Sequence, residues 1–428
     1  MPRPVPRAIF AAVMALAVGG AAAASEIVSP PPPVVWQRES ATAAPALTRP
    51  TLPRRPPADP DDAAHAALGE ALFRAPELLG TVARRSGLSC QACHVEGTTN
   101  PQFFIRGLSA RPGGLDVTTR LFNRRADDGI ANHRDIPSLA GVAATAPYGR
   151  AGKFPTLADF TRHAIVDEFD GEEPSPLALE ALVLFQRQFD FPANANLDGA
   201  GRLSARASAA ARRGEAVFAR PFPGRPQLSC AACHPPAQAF TDRRRHDVGT
   251  GGVFDTASLL GAAATAPYFH DGRAATLAAT VAHFDRHYGL GLAEAERADL
   301  LAYLAAVGSA SARTEPVSLA GELARLDRFK EGLEVAFVAR DGVVAVAVVA
   351  VLRRELGALY ERFPEPAHEP ARARLITLSR LLQELATAFE TEAWDPAAER
   401  LAAYGAEAAA LGPALDHDRS AARFARPD

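Results

Sequence analysis

Two copies of the motif Cys-x-x-Cys-His, at residues 90–94 and 230–234, constrain this chain more than any other feature. Together they use all 4 cysteines of the 428 residues, so no thiol is left for a disulfide. Two thiols at this spacing, followed by an imidazole, attach one haem c and supply a ligand to its iron. The motifs therefore predict two covalent haems. The predicted haem-binding residues are Cys90, Cys93, His94, Cys230, Cys233 and His234.

The N-terminus predicts an export signal. Arg3 and Arg7 form a basic start, an apolar run covers residues 9–18, and small residues at 22–24 form a cleavage site. The apolar run is too short to favour a membrane span. Residues 1–24 are therefore predicted to be a signal peptide of a periplasmic protein. The net charge of -3 gives no reason to expect a nucleic acid as partner.

An internal repeat organises the chain after a proline-rich stretch, residues 25–60, which we interpret as a linker. The hexapeptide Ala-Ala-Thr-Ala-Pro-Tyr occurs at 143–148 and again 120 residues later. The repeat predicts a first haem domain over residues 61–199 and a second over 200–312. A helical domain is predicted over 315–415, where apolar residues recur at helical spacing.

Helical periodicity also marks both predicted haem domains, and no segment shows sustained strand alternation. The predicted segments are 156–169, 176–188, 205–219, 276–287 and 293–307. The predicted fold class is therefore all-α: two cytochrome-c-like haem domains with an additional C-terminal helical bundle. The apolar run 342–352 lies between charged residues and is too short for a membrane span, so we expect a buried helix.

The methionines exclude one kind of haem ligation. The chain has 2, Met1 and Met14, and both lie in the predicted signal peptide. The mature protein then cannot use the His/Met ligation that raises the potential of electron-carrier cytochromes.

Several segments together resemble the bacterial dihaem cytochrome c peroxidase and MauG superfamily over about residues 61–312. They are the two haem motifs, Arg-Asp-Ile-Pro-Ser-Leu at 134–139, Phe-Thr-Asp at 240–242 and Thr-Ala-Pro-Tyr-Phe-His-Asp-Gly-Arg at 265–273. The resemblance implies a calcium ion and an electron path between two haem domains. It also implies that the first haem meets peroxide while the second transfers electrons from a redox partner protein, such as a small cytochrome.

The resemblance also implies specific roles for individual residues of this chain. The implied calcium ligands are Asp135, with a carboxylate in place of the usual asparagine, and the carbonyl groups of Thr265 and Pro267. The catalytic carboxylate falls on Glu168 or Asp170. The alternative for each set is structural: turn residues in the first case and a solvated acidic loop in the second.

The chain departs from the superfamily pattern at two positions. Phe284 stands where a methionine or tyrosine ligand is expected, and Arg150 stands in place of the tryptophan between the haems. A histidine on a flanking helix is the remaining ligand candidate, with packing histidines as the alternative. For the second haem these are His283 and His287, for the first haem His163 and His133, and His246 and His270 are candidates for contact with the second haem's edge.

The sequence thus predicts an exported dihaem oxidoreductase with weak or unusual peroxidase behaviour. One alternative is a non-enzymatic electron-transfer protein in which both irons are six-coordinate and low in potential. Another is a haem-bearing scaffold whose C-terminal helices bind a partner.

Overall fold

The computed structural model describes residues 48–309, 312–363 and 369–416. The predicted signal peptide, both methionines and most of the predicted linker lie outside the described residues. Within them the chain is mostly helical, as predicted. The helices are α1 Pro60–Phe73, α2 Thr81–Arg85, α3 Cys90–Cys93, α4 Leu157–His163, α5 Pro176–Gln186, α6 Ala209–Ala219, α7 Cys230–Cys233, α8 Leu277–Tyr288, α9 Glu294–Val307, α10 Leu319–Val338, α11 Gly342–Tyr360, α12 Glu369–Glu390, α13 Trp394–Ala409 and α14 Leu411–Asp416.

Three antiparallel two-stranded sheets accompany the helices in the described part of the chain. The pairs are β1 Thr48–Thr51 with β6 Arg313–Pro316, β2 Gly114–Leu115 with β3 Arg134–Asp135, and β4 Arg245–Asp247 with β5 Val253–Asp255. The sequence did not predict them, because strands of two to four residues are too short to show alternation.

The segment before α1 differs from the predicted linker where it is described. Thr48–Thr51 pairs with β6, and Leu52 is buried. Asp59 caps α1, because its side chain accepts hydrogen bonds from the backbone N–H groups of Asp61 and Asp62. A proline-rich segment builds no core of its own. Here its backbone forms strand hydrogen bonds with β6, and its arginines form ion pairs with carboxylates of neighbouring helices.

The two repeats share a backbone frame after the haem motifs. The Tyr148 hydroxyl donates to the carbonyl of Val142 at 3.2 Å, and the Tyr268 hydroxyl donates to the carbonyl of Ala262 at 2.9 Å. In both repeats this tyrosine closes a loop over the 3-10 turn that precedes it. The sequence repeat is therefore also a repeat of local structure.

The helices that follow begin alike and end differently. Thr156 caps α4 and Thr276 caps α8, each with its side-chain oxygen accepting from a backbone N–H three residues on. After α4, residues 164–168 form a π-helical turn, whereas α8 continues as a regular helix to Tyr288. The two repeats therefore present different side chains from the same position in the frame.

Helix α1 lies between α5 and α10 and is buried from Ala66 to Phe73. Two glycines permit this close packing. A Cβ at Gly69 would lie 1.9 Å from the carbonyl oxygen of Ala181 in α5, and a Cβ at Gly332 in α10 would lie 2.6 Å from Cα of Leu68. The first repeat and the C-terminal helices consequently share a continuous apolar core. The second repeat has a smaller core of its own, formed by Phe218, Phe240, Val281, Leu292, Leu300, Tyr303 and Val307.

The apolar run predicted to be a buried helix forms the first part of α11. Val344, Val348 and Leu352 are at most 2% exposed against the neighbouring helices. In the described ranges, no helix combines the length and the apolar character needed to cross a membrane.

The packing of α10 on α1 can be tested at Gly332. We expect Gly332→Ala to lower the free energy of unfolding by about 1–3 kcal/mol, because the added methyl group meets the α1 backbone. The matched control is Gly357→Ala in α11, where an added Cβ meets nothing within 4 Å and helix propensity should stabilise the protein by up to about 1 kcal/mol. Denaturant titration of the holoprotein measures both; equal stability of Gly332→Ala and wild type would contradict the packing argument.

Candidate haem sites

Each Cys-x-x-Cys segment forms a single helical turn, α3 in the first repeat and α7 in the second. Ser89 and Ser229 precede the turns in extended conformation, and the Ser229 hydroxyl accepts from the backbone of Ala232 at 3.0 Å. One turn of helix brings residues i and i+3 to the same face, so the two thiols of each motif lie on one side. This is the arrangement that two thioether bonds to one macrocycle require.

Both motif histidines are oriented in the same way. Nδ1 of His94 is 3.0 Å from the carbonyl oxygen of Pro137, and Nδ1 of His234 is 2.9 Å from that of Phe240. A neutral imidazole that donates through Nδ1 presents Nε2 as a metal ligand. Burial lowers the pKa of His94 to about 4 and also lowers the pKa of His234, which keeps both rings neutral.

The thiols have the properties expected of thioether-forming cysteines. Burial raises the pKa of Cys90 and of Cys230 to about 11, and also raises those of Cys93 and Cys233. Two thiols and one neutral imidazole in each motif match the donor set that covalent haem attachment uses. The two donor sets therefore fit haem c.

Asp242 and His246 lie beside the second motif. Nε2 of His246 is 2.8 Å from Oδ2 of Asp242, and these two side chains lie close to Cys233. Asp242 and His246 also both affect the pKa of His234 through their charges. The structure thus places His246 on the histidine side of the second motif, where the sequence expected contact with the haem edge.

Glu168 is brought to the first motif by the π-helical turn after α4. The carboxylate raises the pKa of Cys93 through space, which places it near that thiol. Its Oε1 is 3.8 Å from Nε2 of His163, whose Nδ1 pairs with Asp167 at 3.0 Å. Burial raises the pKa of Glu168, although His163 opposes the rise. A half-buried carboxylate with a raised pKa is suited to accept and return a proton.

Asp170 does not share this position. It is exposed and has a left-handed backbone with φ of 55°, at the point where the chain leaves the helical turn. Of the two carboxylates that the sequence proposed as catalytic, the structure places Glu168 near the first motif and Asp170 at the surface.

Tyr288 occupies the corresponding position in the second repeat, 120 residues after Glu168. Burial raises its pKa, and the charges of Cys233 and Cys230 contribute in the same direction. Its ring stacks on Phe284 at 6.1 Å and lies 4.8 Å from Phe222. The motifs did not single out this residue, although the repeat offset of 120 residues from Glu168 leads to it.

The histidines of α8 lie one turn apart. Nε2 of His283 is 2.7 Å from the carbonyl oxygen of Val248, and His287 is exposed and stacks on His283 at 5.9 Å. In the first repeat, His133 is buried under the β2–β3 hairpin, where its Nδ1 accepts from the backbone of Ala110 at 3.3 Å. No contact found in the described residues joins His133 to the first motif.

The junction between the repeats is built around Arg150. Its Nη2 donates to the carbonyl oxygen of Asp135 at 2.6 Å and to Oδ2 of Asp135 at 2.8 Å. Backbone hydrogen bonds cross to the second repeat at both residues: Asp135 N–H donates to His270 at 3.0 Å, and Asp255 N–H donates to Arg150 at 3.1 Å. The ring of His270 stacks on Phe254 at 3.7 Å, so His270 serves this junction.

This geometry bears on the implied calcium site. The guanidinium of Arg150 already binds the backbone oxygen and Oδ2 of Asp135. Thr265 and Pro267 lie in the second repeat, and a Cβ at Gly272 would lie 2.8 Å from Cγ of Pro267 and 3.2 Å from Nε of Arg111. Arg150 therefore takes up oxygens of Asp135 that a calcium ion, which requires six to eight oxygen ligands, would need.

Comparisons with known proteins confirm the resemblance predicted from the motifs. Residues 211–306 match the model of the family described as di-haem cytochrome c peroxidase. The methylamine utilization protein MauG of Methylorubrum extorquens is 28% identical over 318 residues, covering 63% of this chain and 85% of that protein. The hydrazine synthase subunit gamma of Kuenenia stuttgartiensis is 25% identical over 287 residues, covering 51% of this chain and 72% of that protein.

Two solved structures were also found. One is hydrazine synthase of Kuenenia stuttgartiensis, with a TM-score of 0.42 and 21% identity, covering 64% of this chain and 99% of that chain. The other is a MauG-like protein associated with microbial copper homeostasis, with a TM-score of 0.39 and 17% identity, covering 63% of this chain and 95% of that chain.

Replacing the second cysteine of each motif tests the assignment of the haem sites. We expect Cys93→Ala together with Cys233→Ala to abolish full covalent attachment at both sites, because each turn then offers one thiol. The pyridine haemochrome spectrum of the denatured protein reports the number of thioether bonds per haem. A spectrum of the ordinary c type from the double variant would contradict the assignment, and each single variant serves as the control for the other site.

Proposed function

We propose that this chain, which belongs to the dihaem cytochrome c peroxidase and MauG superfamily, is an exported oxidoreductase with two unlike haem sites. The first site reacts with peroxide and the second transfers electrons between the first site and a redox partner protein. The main support for this proposal is that the same position of the shared backbone frame holds Glu168 in the first repeat and Tyr288 in the second.

Haem c is held at the first site by Cys90, Cys93 and His94, and at the second by the equivalent residues of the second motif. When bound, it supplies an iron that changes oxidation state and, where one face is open, reacts with peroxide. The buried histidines present Nε2, and the carbonyl groups that bind Nδ1 fix the orientation of the rings.

Glu168 is the proposed acid–base residue of the first site. Heterolysis of peroxide needs a group that takes a proton from one oxygen and returns it to the other. Burial raises the pKa of Glu168, so this carboxyl group can change protonation state closer to neutral pH than an exposed glutamate. His163, whose Nδ1 pairs with Asp167, lies with Nε2 3.8 Å from Glu168 Oε1, and we therefore favour a supporting role for His163 over the ligand role that the sequence proposed.

At the second site two residues are proposed as the sixth iron ligand. His283 is the candidate from the repeat, and its Nε2 is engaged by the Val248 carbonyl. Tyr288 is favoured by its closeness to both motif cysteines. Either side chain, if it bound the second iron, would give that haem a lower potential than a methionine ligand would. Together with Arg150 in place of an aromatic residue, this low potential leads us to propose slow peroxide turnover.

The proposal contains no calcium ion, because Arg150 supplies the positive charge at Asp135. The redox partner is proposed to be a small cytochrome or similar protein. Export follows from the predicted signal peptide, which lies outside the described residues.

The comparison of Glu168→Gln with Asp170→Asn tests the proposed chemistry. We expect Glu168→Gln to slow the reaction of the ferric holoprotein with hydrogen peroxide by about 10²–10⁴-fold, the usual contribution of an acid–base group. Asp170→Asn removes a neighbouring exposed carboxylate and should leave the rate unchanged. Rapid mixing with optical detection measures both rates, and haem content verifies that each variant is loaded. An unaltered rate in Glu168→Gln would exclude the proposed role.

A further inference from the structure

A buried carboxylate follows the first haem motif. Glu96 is 3% exposed and lies two residues after His94. It binds the motif itself, since Nε2 of Gln91 donates to Glu96 Oε1 at 3.2 Å and Glu96 N–H donates to Gln91 Oε1 at 3.2 Å. The second motif has Pro236 at the same position. Of the two motifs, only the first therefore has a carboxylate two residues after its histidine.

Arginines from the N-terminal part of the chain compensate this charge. Arg74 of α1 donates to Glu96 Oε1 at 2.6 Å, and Arg54 donates to Glu96 Oε2 at 2.9 Å. Arg54 also lies 3.0 Å from Glu70, a second carboxylate that is 2% exposed. Glu70 and Glu96 are thus neighbours bridged by the same guanidinium groups.

The C-terminal helix α10 completes the cluster. Arg328 donates to both oxygens of Glu70, at 2.8 and 3.3 Å, and Nη2 of Arg325 lies 3.9 Å from Glu96 Oε1. Arg325 is 9% exposed and also pairs with Glu322 at 3.1 Å and Glu355 at 3.6 Å, so its buried charge is shared among three carboxylates. The close contact of Gly332 with Leu68 fixes α10 at the distance these contacts require.

We propose that α10 acts as a positioning and tuning element of the first haem, with Arg325 and Arg328 setting the charge balance around the attachment loop. This assigns the C-terminal helices a role inside the molecule that needs no docked partner. It requires haem at the first motif but not the proposed reaction with peroxide, so the two can fail separately. The second haem lies outside this network and is the internal reference.

The test is a spectroelectrochemical titration of the full-length holoprotein and three variants. Arg328→Gln removes a positive charge and should shift one haem midpoint to lower potential, because the ferric state is then favoured. Glu70→Gln should shift the same midpoint to higher potential. The double variant Glu70→Gln with Arg328→Gln should return it close to the wild-type value, and the other midpoint should stay constant throughout.

Arg374→Gln is the matched control. Arg374 of α12 also pairs with a carboxylate on another segment, Glu407 of α13, at 2.7 Å, and this partly exposed pair has no contact with the cluster. It should move neither midpoint, and Arg328→Lys should restore the wild-type value. Shifts of the same sign in Arg328→Gln and Glu70→Gln, equal shifts of both haems, or no shift would overturn the proposal. If Arg328→Gln does not fold, Glu70→Gln and the double variant still decide it.

Discussion

Charge compensation of Glu70 and Glu96 is the interaction on which the arrangement around the first haem motif depends. Two carboxylates buried this deeply are tolerated only when cations accompany them. Those cations come from the segment before α1, from α1 and from α10, so the pairing draws three distant parts of the chain onto the attachment loop. Each carboxylate has more than one arginine partner, and these ion pairs lie beside the apolar core that the first repeat shares with the C-terminal helices.

The repeat supplies a second constraint, a backbone frame used twice. In both copies a threonine caps the flanking helix and a tyrosine closes the preceding turn. The π-helical turn after α4 and the regular end of α8 then place a carboxylate at one site and a phenol at the other. Unlike side chains at one position of a duplicated frame would give the two proposed haem sites different reactivity.

Local features of this molecule could be predicted from sequence, whereas contacts between distant segments could not. Motif spacing predicts the haem ligands, and periodicity found α4 with its π-helical turn, α5, α6, α8 and α9 within four residues at either end. The pairing of Arg328 with Glu70 joins residues far apart in the chain, and no local pattern predicts it. Glu168 and Asp170 look equivalent in sequence, but the backbone places them differently. The π-helical turn leaves Glu168 half-buried near His163, whereas Asp170 is exposed where the chain leaves the turn. The described part of the proline-rich stretch was predicted to be a linker for the same reason. Its strand partner β6 lies beyond both repeats, so no local pattern indicates the pairing.

The central claim is that the two haem sites are unlike, one open beside Glu168 and one closed by a ligand from α8. Electron paramagnetic resonance of the ferric holoprotein tests it most directly. The account predicts one high-spin signal from the first haem and one low-spin signal from the second. Two low-spin haems would contradict it and would favour an electron-transfer protein with both irons six-coordinate.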